Sequence, residues 1–244
     1  MNIESLAEEY LSIIKGMDRA LIDKSRHHEP EFSGLTGLFI PSAPRNYSSA
    51  KYRIMVVGRE TRAWNVLKVN ELFNGLEQYI LTALTKHQML QEKFLAQSCD
   101  KGFTYFNLLR SLAERCGSDG LIWSNLFCFA WNEGNPMRSP QFPAIKYYSE
   151  LLLKLQIRLF KPEIIIFANG PTTATVRQEF FPYKDKGSVC TNASDFSLQG
   201  IPNKQLWQFQ LYDQIKCYRI QHPSSRSRDS QAARKFLLNI LPMK

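Results

Sequence analysis

No apolar stretch among these 244 residues approaches the ~20 that a helix needs to cross a bilayer, which sets aside a membrane-spanning protein. The N-terminus has no basic region followed by an apolar one. Glu4, Glu8 and Glu9 sit there within a helical pattern, so no secretory signal is expected and the chain is placed in the cytosol, without a membrane partner. The five cysteines, Cys99, Cys116, Cys128, Cys190 and Cys217, contain no C-x-x-C pair, which argues against a zinc or iron–sulfur site. Their odd number and scatter suit a reducing compartment, with all five as small buried hydrophobes. Neither a G-x-x-x-x-G-K-S/T loop nor a G-x-G-x-x-G fingerprint is present, so the common nucleotide-cradling loops are missing. Internal repeats and low-complexity tracts are absent too. Acidic residues are in short supply: 22 Asp and Glu stand against 31 Lys and Arg, a net charge of +9. A basic surface attracts phosphate backbones and steers their approach, although charge alone is equally compatible with a generically basic globular protein.

What is present is an ordinary globular composition, with 44% hydrophobic and 22% charged residues, long enough for one large α/β domain or two small ones. Ile3, Leu6, Ala7, Tyr10, Leu11 and Ile14 fall on one helical face. From His27 to Pro44 the chain is rich in breakers, yet Phe32, Leu35, Leu38, Phe39 and Ile40 require burial, which indicates a long ordered loop. The adjacent His27 and His28 point apart in an extended segment and read as exposed loop residues rather than metal ligands. Arg53 to Gly58 reads as a buried strand, Asn70 to Lys86 and Phe106 to Cys116 as helices, and Leu121 to Trp131 as a strand closed by the loop Asn132 to Pro136. A long amphipathic helix carries Ile145, Tyr148, Leu152, Leu155 and Leu159. The run Ile164 to Ala168 suits a strand covered on both faces, followed by a helix from Thr172 to Phe180. Trp207 to Leu211 alternates as a half-buried strand that adds an antiparallel member. Ile215 to Ile220 is the last strand, and Ala232 to Leu241 lies in the last helix. Strands alternating with helices predict an α/β fold, a three-layer α/β/α arrangement around a mainly parallel sheet. The expected organisation is a single domain over residues 1–244, with residues 1–50 as a helix and extended loop packed on it.

Two strand-like runs end abruptly in residues able to do chemistry. Arg53-Ile54-Met55-Val56-Val57-Gly58-Arg59-Glu60-Thr61 stops at a carboxylate, and Tyr218-Arg219-Ile220-Gln221-His222-Pro223-Ser224-Ser225-Arg226 stops at an imidazole. Strand ends of an open parallel sheet line its ligand crevice. Glu60 could orient a water or stabilise a cation, or else pair with Arg59 or Arg62 as a solvated loop charge. His222 could serve a ligand or simply ride on a helix-capping turn. The following serines, with Arg226, Arg228 and Arg234, offer a phosphate site near the start of the last helix. Asn125, an amide inside an apolar strand, could read a flat base edge or bond to neighbouring backbone.

In this order the three segments, V-V-G-R-E-T, S-N-L-F-C-F and Q-H-P-S-S-R, resemble the motifs of the uracil-DNA glycosylase superfamily over roughly residues 50 to 241. That superfamily has a G-Q-D-P-Y or G-E-A-P-G motif after a strand, an Asn on a middle strand, and H-P-S near the C-terminus. The resemblance implies catalytic roles for Glu60, which would position water and stabilise an oxocarbenium-like sugar, and for His222, which would support the departing base anion. It implies base recognition by Asn125, with Gly58 and Arg59 in the base pocket and Phe73 stacking on the base. Ser224, Ser225 and Arg226 would meet DNA. Thr61 and Arg62 stand where the family has proline and tyrosine, and Arg226 replaces an apolar wedge.

The function so implied is monofunctional hydrolysis of the N-glycosidic bond of uracil, or a related damaged base, in single- or double-stranded DNA for base-excision repair. It would be carried out by a monomer with no metal or cofactor. Two other readings stay open: a catalytically inactive DNA- or lesion-binding relative, motivated by the altered first motif, and an α/β enzyme acting on a free nucleotide or nucleoside.

Overall fold

The computed structural model describes residues 2–67, 71–99, 101–102, 104–184 and 186–244. Its centre is the run Ile164-Ile165-Ile166-Phe167. This is strand β3 (Ile164–Phe167), buried along its whole length, as its unbroken apolar sequence demands. It pairs in parallel with β1 (Ile54–Gly58) on one side, Ile54 opposite Ile164 and Val57 opposite Phe167. On the other side it pairs in parallel with β6 (Ile215–Ile220), Ile164 opposite Lys216 and Phe167 opposite Arg219.

β5 (Leu206–Leu211) runs antiparallel to β6, as its alternation suggested. One strand was not foreseen: β4 (Cys190–Asp195) pairs antiparallel with β5. Its sequence, C-T-N-A-S-D, has no apolar alternation because four of its six residues are exposed and a bulge between Thr191 and Ser194 interrupts the ladder. With β2 (Leu121–Asn125) at the opposite edge, the six strands take the order β2-β1-β3-β6-β5-β4. The chain is thus an α/β protein with a six-stranded, mainly parallel sheet.

The helices are α1 (Ile3–Ile14), α2 (Leu76–Ala96), α3 (Thr104–Cys116), α4 (Phe142–Phe160), α5 (Ala174–Phe180) and α6 (Arg228–Ile240). Helix α1 is capped by the Asn2 side chain and buries Leu6, Ala7, Tyr10 and Ile14, the stripe expected of it. Helix α2 begins later than its sequence pattern suggested. Gly75, with φ +105°, lies outside helical backbone and delays the start to Leu76; the expected first residue, Asn70, lies outside the described residues. The expected strand through Trp131 stops at Asn125. Residues 126–130 are fully buried, but their backbone is satisfied differently: Cys128 N–H donates to Ser149 Oγ at 3.0 Å and Ala130 N–H to Thr36 Oγ1 at 2.9 Å.

Packing divides the chain into two compact units, each assembled from three segments. The first comprises Met1–Ser42, Arg59–Gln91 and Ser124–Leu159, and the second Ala43–Gly58, Glu92–Trp123 and Phe160–Lys244. In the first, Phe32, Leu35, Leu38, Phe39 and Ile40 are buried, as the loop reading required. Of the adjacent histidines, His28 is exposed. His27, expected in solvent, is half-buried, and enclosure beside Lys24 lowers its pKa. In the second unit α6 packs on β5, β6 and α3. Arg115 of α3 donates to the carbonyls of Asn239 and Leu241 at 3.0 and 2.9 Å, closing the C-terminal end of α6. Four cysteines are buried as expected. Cys99 is the exception and is exposed, lying in the irregular stretch after α2. Among the described residues no helix is long and apolar enough to cross a membrane.

Candidate functional site

Within the first unit, the segment after β1 is stitched to the segment after β2. The Arg59 carbonyl accepts from Phe127 N–H at 2.9 Å, and the Asn125 amide bonds the Thr61 hydroxyl. In the orientation that satisfies both ends of the amide, the Asn125 carbonyl also accepts from Thr61 N–H at 3.3 Å, while its nitrogen donates to the Ser124 carbonyl at 3.0 Å. Asn125 therefore ties the first motif to the middle strand through Thr61. The order of motifs in the sequence is thus matched by direct contact between two of them.

Between these anchors lies Glu60. Its side chain is 3% exposed and accepts from both Arg59 Nε and Arg59 Nη2, the second at 2.8 Å, with Arg62 Nε 3.8 Å away. The bond to Glu60 raises the Arg59 pKa against the opposing effect of burial. Glu60 is thus neither a solvated loop charge nor an open carboxylate. It is a buried anion clasped by a neighbouring guanidinium in a forked pair.

The second unit holds the other candidates. β6 ends at Ile220, and His222 follows beside the end of β3. There Asn169, Gly170 and Pro171 turn the chain into α5. Gly170 has φ +76° and ψ −179°, a region essentially confined to glycine, and a Cβ placed on it would stand 3.2 Å from the His222 Cβ. That absent side chain lets the two strand ends approach.

The ring of His222 is held by the residues after it. Ser224 N–H donates to Nδ1 at 3.2 Å, with the Ser224 hydroxyl 2.7 Å from the same nitrogen. A backbone N–H can only donate, so Nδ1 is an acceptor and the neutral ring carries its proton on Nε2. Further serines close on themselves. Ser227 caps α6 by accepting from Ser230 N–H, and Ser230 bonds to Ser225 and to Gln205 Oε1 at 2.8 Å. The helix starts at Arg228, so Ser224 and Ser225 lie in the turn before it, and Arg226 is exposed.

The sequence-derived residues thus fall into two groups: Arg59, Glu60, Phe73 and Asn125 in the first unit, and Gly58, His222, Ser224, Ser225 and Arg226 in the second. Phe73 is not on a helix face as its pattern suggested. It lies in the irregular segment before α2, half-buried, with its ring 6.0 Å from that of Tyr79. Two residues escaped sequence reasoning. Tyr105 of α3 donates to the Val56 carbonyl at 2.9 Å and so steadies the end of β1 near Gly58. Asn169 is 1% exposed; its amide nitrogen donates to Thr173 Oγ1 at 2.7 Å, and its Oδ1 has no partner among the described residues. An amide directly after a buried strand was the signal available for it. Among the described residues no group of three or more His, Cys, Asp and Glu is placed to hold a metal ion.

Compared with models of known protein families and with curated protein sequences, the chain matches none.

Proposed function

We propose that this protein is a monofunctional DNA glycosylase with a uracil-DNA glycosylase-like, three-layer arrangement, hydrolysing the N-glycosidic bond of uracil or a related damaged base. The observation that carries the reading is His222 at the carboxyl end of a parallel strand, with Nδ1 tied to Ser224 N–H and the proton on Nε2. Breaking the glycosidic bond leaves negative charge on the base and positive charge on the sugar. A neutral imidazole with a preset N–H donor opposes the first charge without a proton having to be transferred. A carboxylate opposes the second and orients water, the role proposed for Glu60. Such enzymes reach the base by extruding it from the stack, and the net charge of +9 suits the phosphate backbone that must be held meanwhile. The chemistry itself calls for neither metal nor cofactor.

The second reading, a catalytically inactive relative that binds DNA or lesions, draws on one specific observation: both Glu60 oxygens are engaged by Arg59. A developing sugar cation would have to compete with that guanidinium.

A base-excision assay on single-stranded and duplex uracil-containing oligonucleotides, followed by alkaline cleavage, separates the two. The wild type is expected to cleave, and Glu60→Gln and His222→Ala to lose about 100-fold or more, the scale of losing a charge-stabilising group. Wild-type rates in both variants would overturn the site. Salt-sensitive binding with no base released from uracil or from a panel of damaged bases would establish the second reading.

A further inference from the structure

Arg59 and Glu60 are neighbours in the chain, and the backbone that carries them is held in place. The Arg59 carbonyl accepts from Phe127 N–H at 2.9 Å, and Thr61, the next residue, is tied to Asn125. Opening the clasp between the two side chains therefore requires side-chain rotation alone. The partners differ in exposure: 3% for the Glu60 side chain and 19% for that of Arg59. The carboxylate is the enclosed member and the guanidinium the one that solvent reaches.

Cations gather on the same segment, within the first unit. Arg62, whose Nε stands 3.8 Å from Glu60, is 68% exposed along its side chain. Lys24 Nζ donates to Asn65 Oδ1 at 3.1 Å, and Lys86 Nζ to the Asn65 carbonyl. Burial and then the charge of Lys86 lower the Lys24 pKa, a mark of like charges crowded together. From Arg59 to Asn65 the single acidic residue is Glu60. Asp23, beside Lys24, is engaged by Ser25, whose N–H it accepts at 2.8 Å. The segment therefore carries more positive charge than Glu60 balances.

A forked guanidinium suits Glu60 badly for opposing a sugar cation, because it fills both oxygens and sets a like charge beside that cation. Simple departure of Arg59 is costly, since it strands a buried carboxylate without a partner. An exchange of partners avoids that cost. Phosphate offers a guanidinium the same two-oxygen target as a carboxylate. The sugar cation then takes the place of Arg59 beside Glu60.

We propose that Arg59 is a positioning residue that holds Glu60 in reserve, and that a phosphate of the bound DNA strand, drawn in by Arg62 and Lys24, takes the fork from the carboxylate. The chain without nucleic acid is the closed state. The DNA partner rests on the function proposed above, whereas the exchange itself does not require that a base be released.

The test follows the Nε–H resonance of Arg59 in the full chain, with isotope-labelled arginine, identified by its loss in Arg59→Lys. Glu60→Gln supplies the reference for a guanidinium without its carboxylate. A saturating, undamaged single-stranded oligonucleotide is expected to empty the clasped position in the wild type. Binding by anisotropy gives a second reading that does not depend on chemistry. Glu60→Gln should bind that oligonucleotide about tenfold more tightly, because phosphate no longer competes with a carboxylate for a charge-assisted pair. The gain should vanish in an Arg59→Gln background, where no fork is left to release. Arg59→Gln alone strands the carboxylate; should it fail to fold, the wild-type resonance still decides.

A resonance that stays at the clasped position while the oligonucleotide is bound would overturn the exchange. So would a gain that persists without Arg59, which reports net charge alone. The same movement with inorganic phosphate at equal concentration would overturn the assignment to a strand. Failure to bind DNA at all would remove the function proposed above and this exchange with it. Excision of uracil with an unmoved resonance would leave the glycosylase standing and remove only the exchange, and a moved resonance without excision would do the reverse.

Discussion

Gly170 shows how much a single residue can decide. Its φ of +76° with ψ −179° is open to glycine and costly to anything else, and the His222 Cβ sits where an alanine methyl would press at 3.2 Å. Gly170→Ala is expected to lose about 1–3 kcal/mol of stability from backbone strain, measured by urea denaturation. Any activity should fall further than that loss of folded protein explains, because the methyl displaces the backbone that carries His222. Unchanged stability and activity would mean that the two strand ends are not held to this spacing. Arg177 is a contrasting case. It is 4% exposed, its guanidinium lies 5.7 and 5.8 Å from the ring centroids of Phe167 and Phe209, and its Nε has no partner among the described residues. Two aromatic faces offset part of the cost of enclosing that cation.

At the scale of elements, the start of α6 joins the site to the fold. Ser227 supplies the cap, and Ser230, 2% exposed, lies at the centre of bonds to Ser225, Ser227 and Gln205. Nearby, Gln221 and Arg219 donate to the Lys204 carbonyl, each at 2.7 Å, so the segment leading into β5 and the segment leaving β6 are fastened together. Ser227→Ala removes the side-chain acceptor for Ser230 N–H. It is expected to cost about 1 kcal/mol, read as a lowered midpoint with unchanged denaturant dependence. This arrangement also revises the sequence view of the serines. Ser224, Ser225 and Ser227 were expected to present hydroxyls to phosphate at a helix start, whereas Ser225 and Ser227 bond to Ser230 instead.

For the whole molecule the governing quantity is charge. With 31 basic and 22 acidic side chains, association with any polyanion should be driven largely by release of its counter-ions. The logarithm of the affinity for undamaged single-stranded DNA is expected to fall linearly with the logarithm of salt concentration, independently of base sequence. Salt-insensitive affinity would remove the backbone as the principal contact and with it the basis for a nucleic-acid partner.

Much of this was legible in the chain itself. Apolar periodicity and unbroken apolar runs determined α1, β1, β3, β5, β6 and the body of α4 and α6, because burial imposes its period on sequence wherever an element has one wet face or none. Strand ends marked by Gly58 and His222 identified where chemistry could sit. β4 left little trace, since an exposed, bulged edge strand has no face to keep apolar. The end of β2 was equally hidden, since Leu126 to Ala130 stay buried while Thr36 and Ser149, distant in sequence, take over their hydrogen bonds. The same holds for the site. Residue types proposed Glu60, Asn125 and His222, but only tertiary structure decided that Arg59 clasps Glu60, that Thr61 occupies Asn125, and that Ser224 leaves the proton of His222 on Nε2. Those outcomes depend on distances of about 3 Å between groups, which a linear pattern of residue types does not encode.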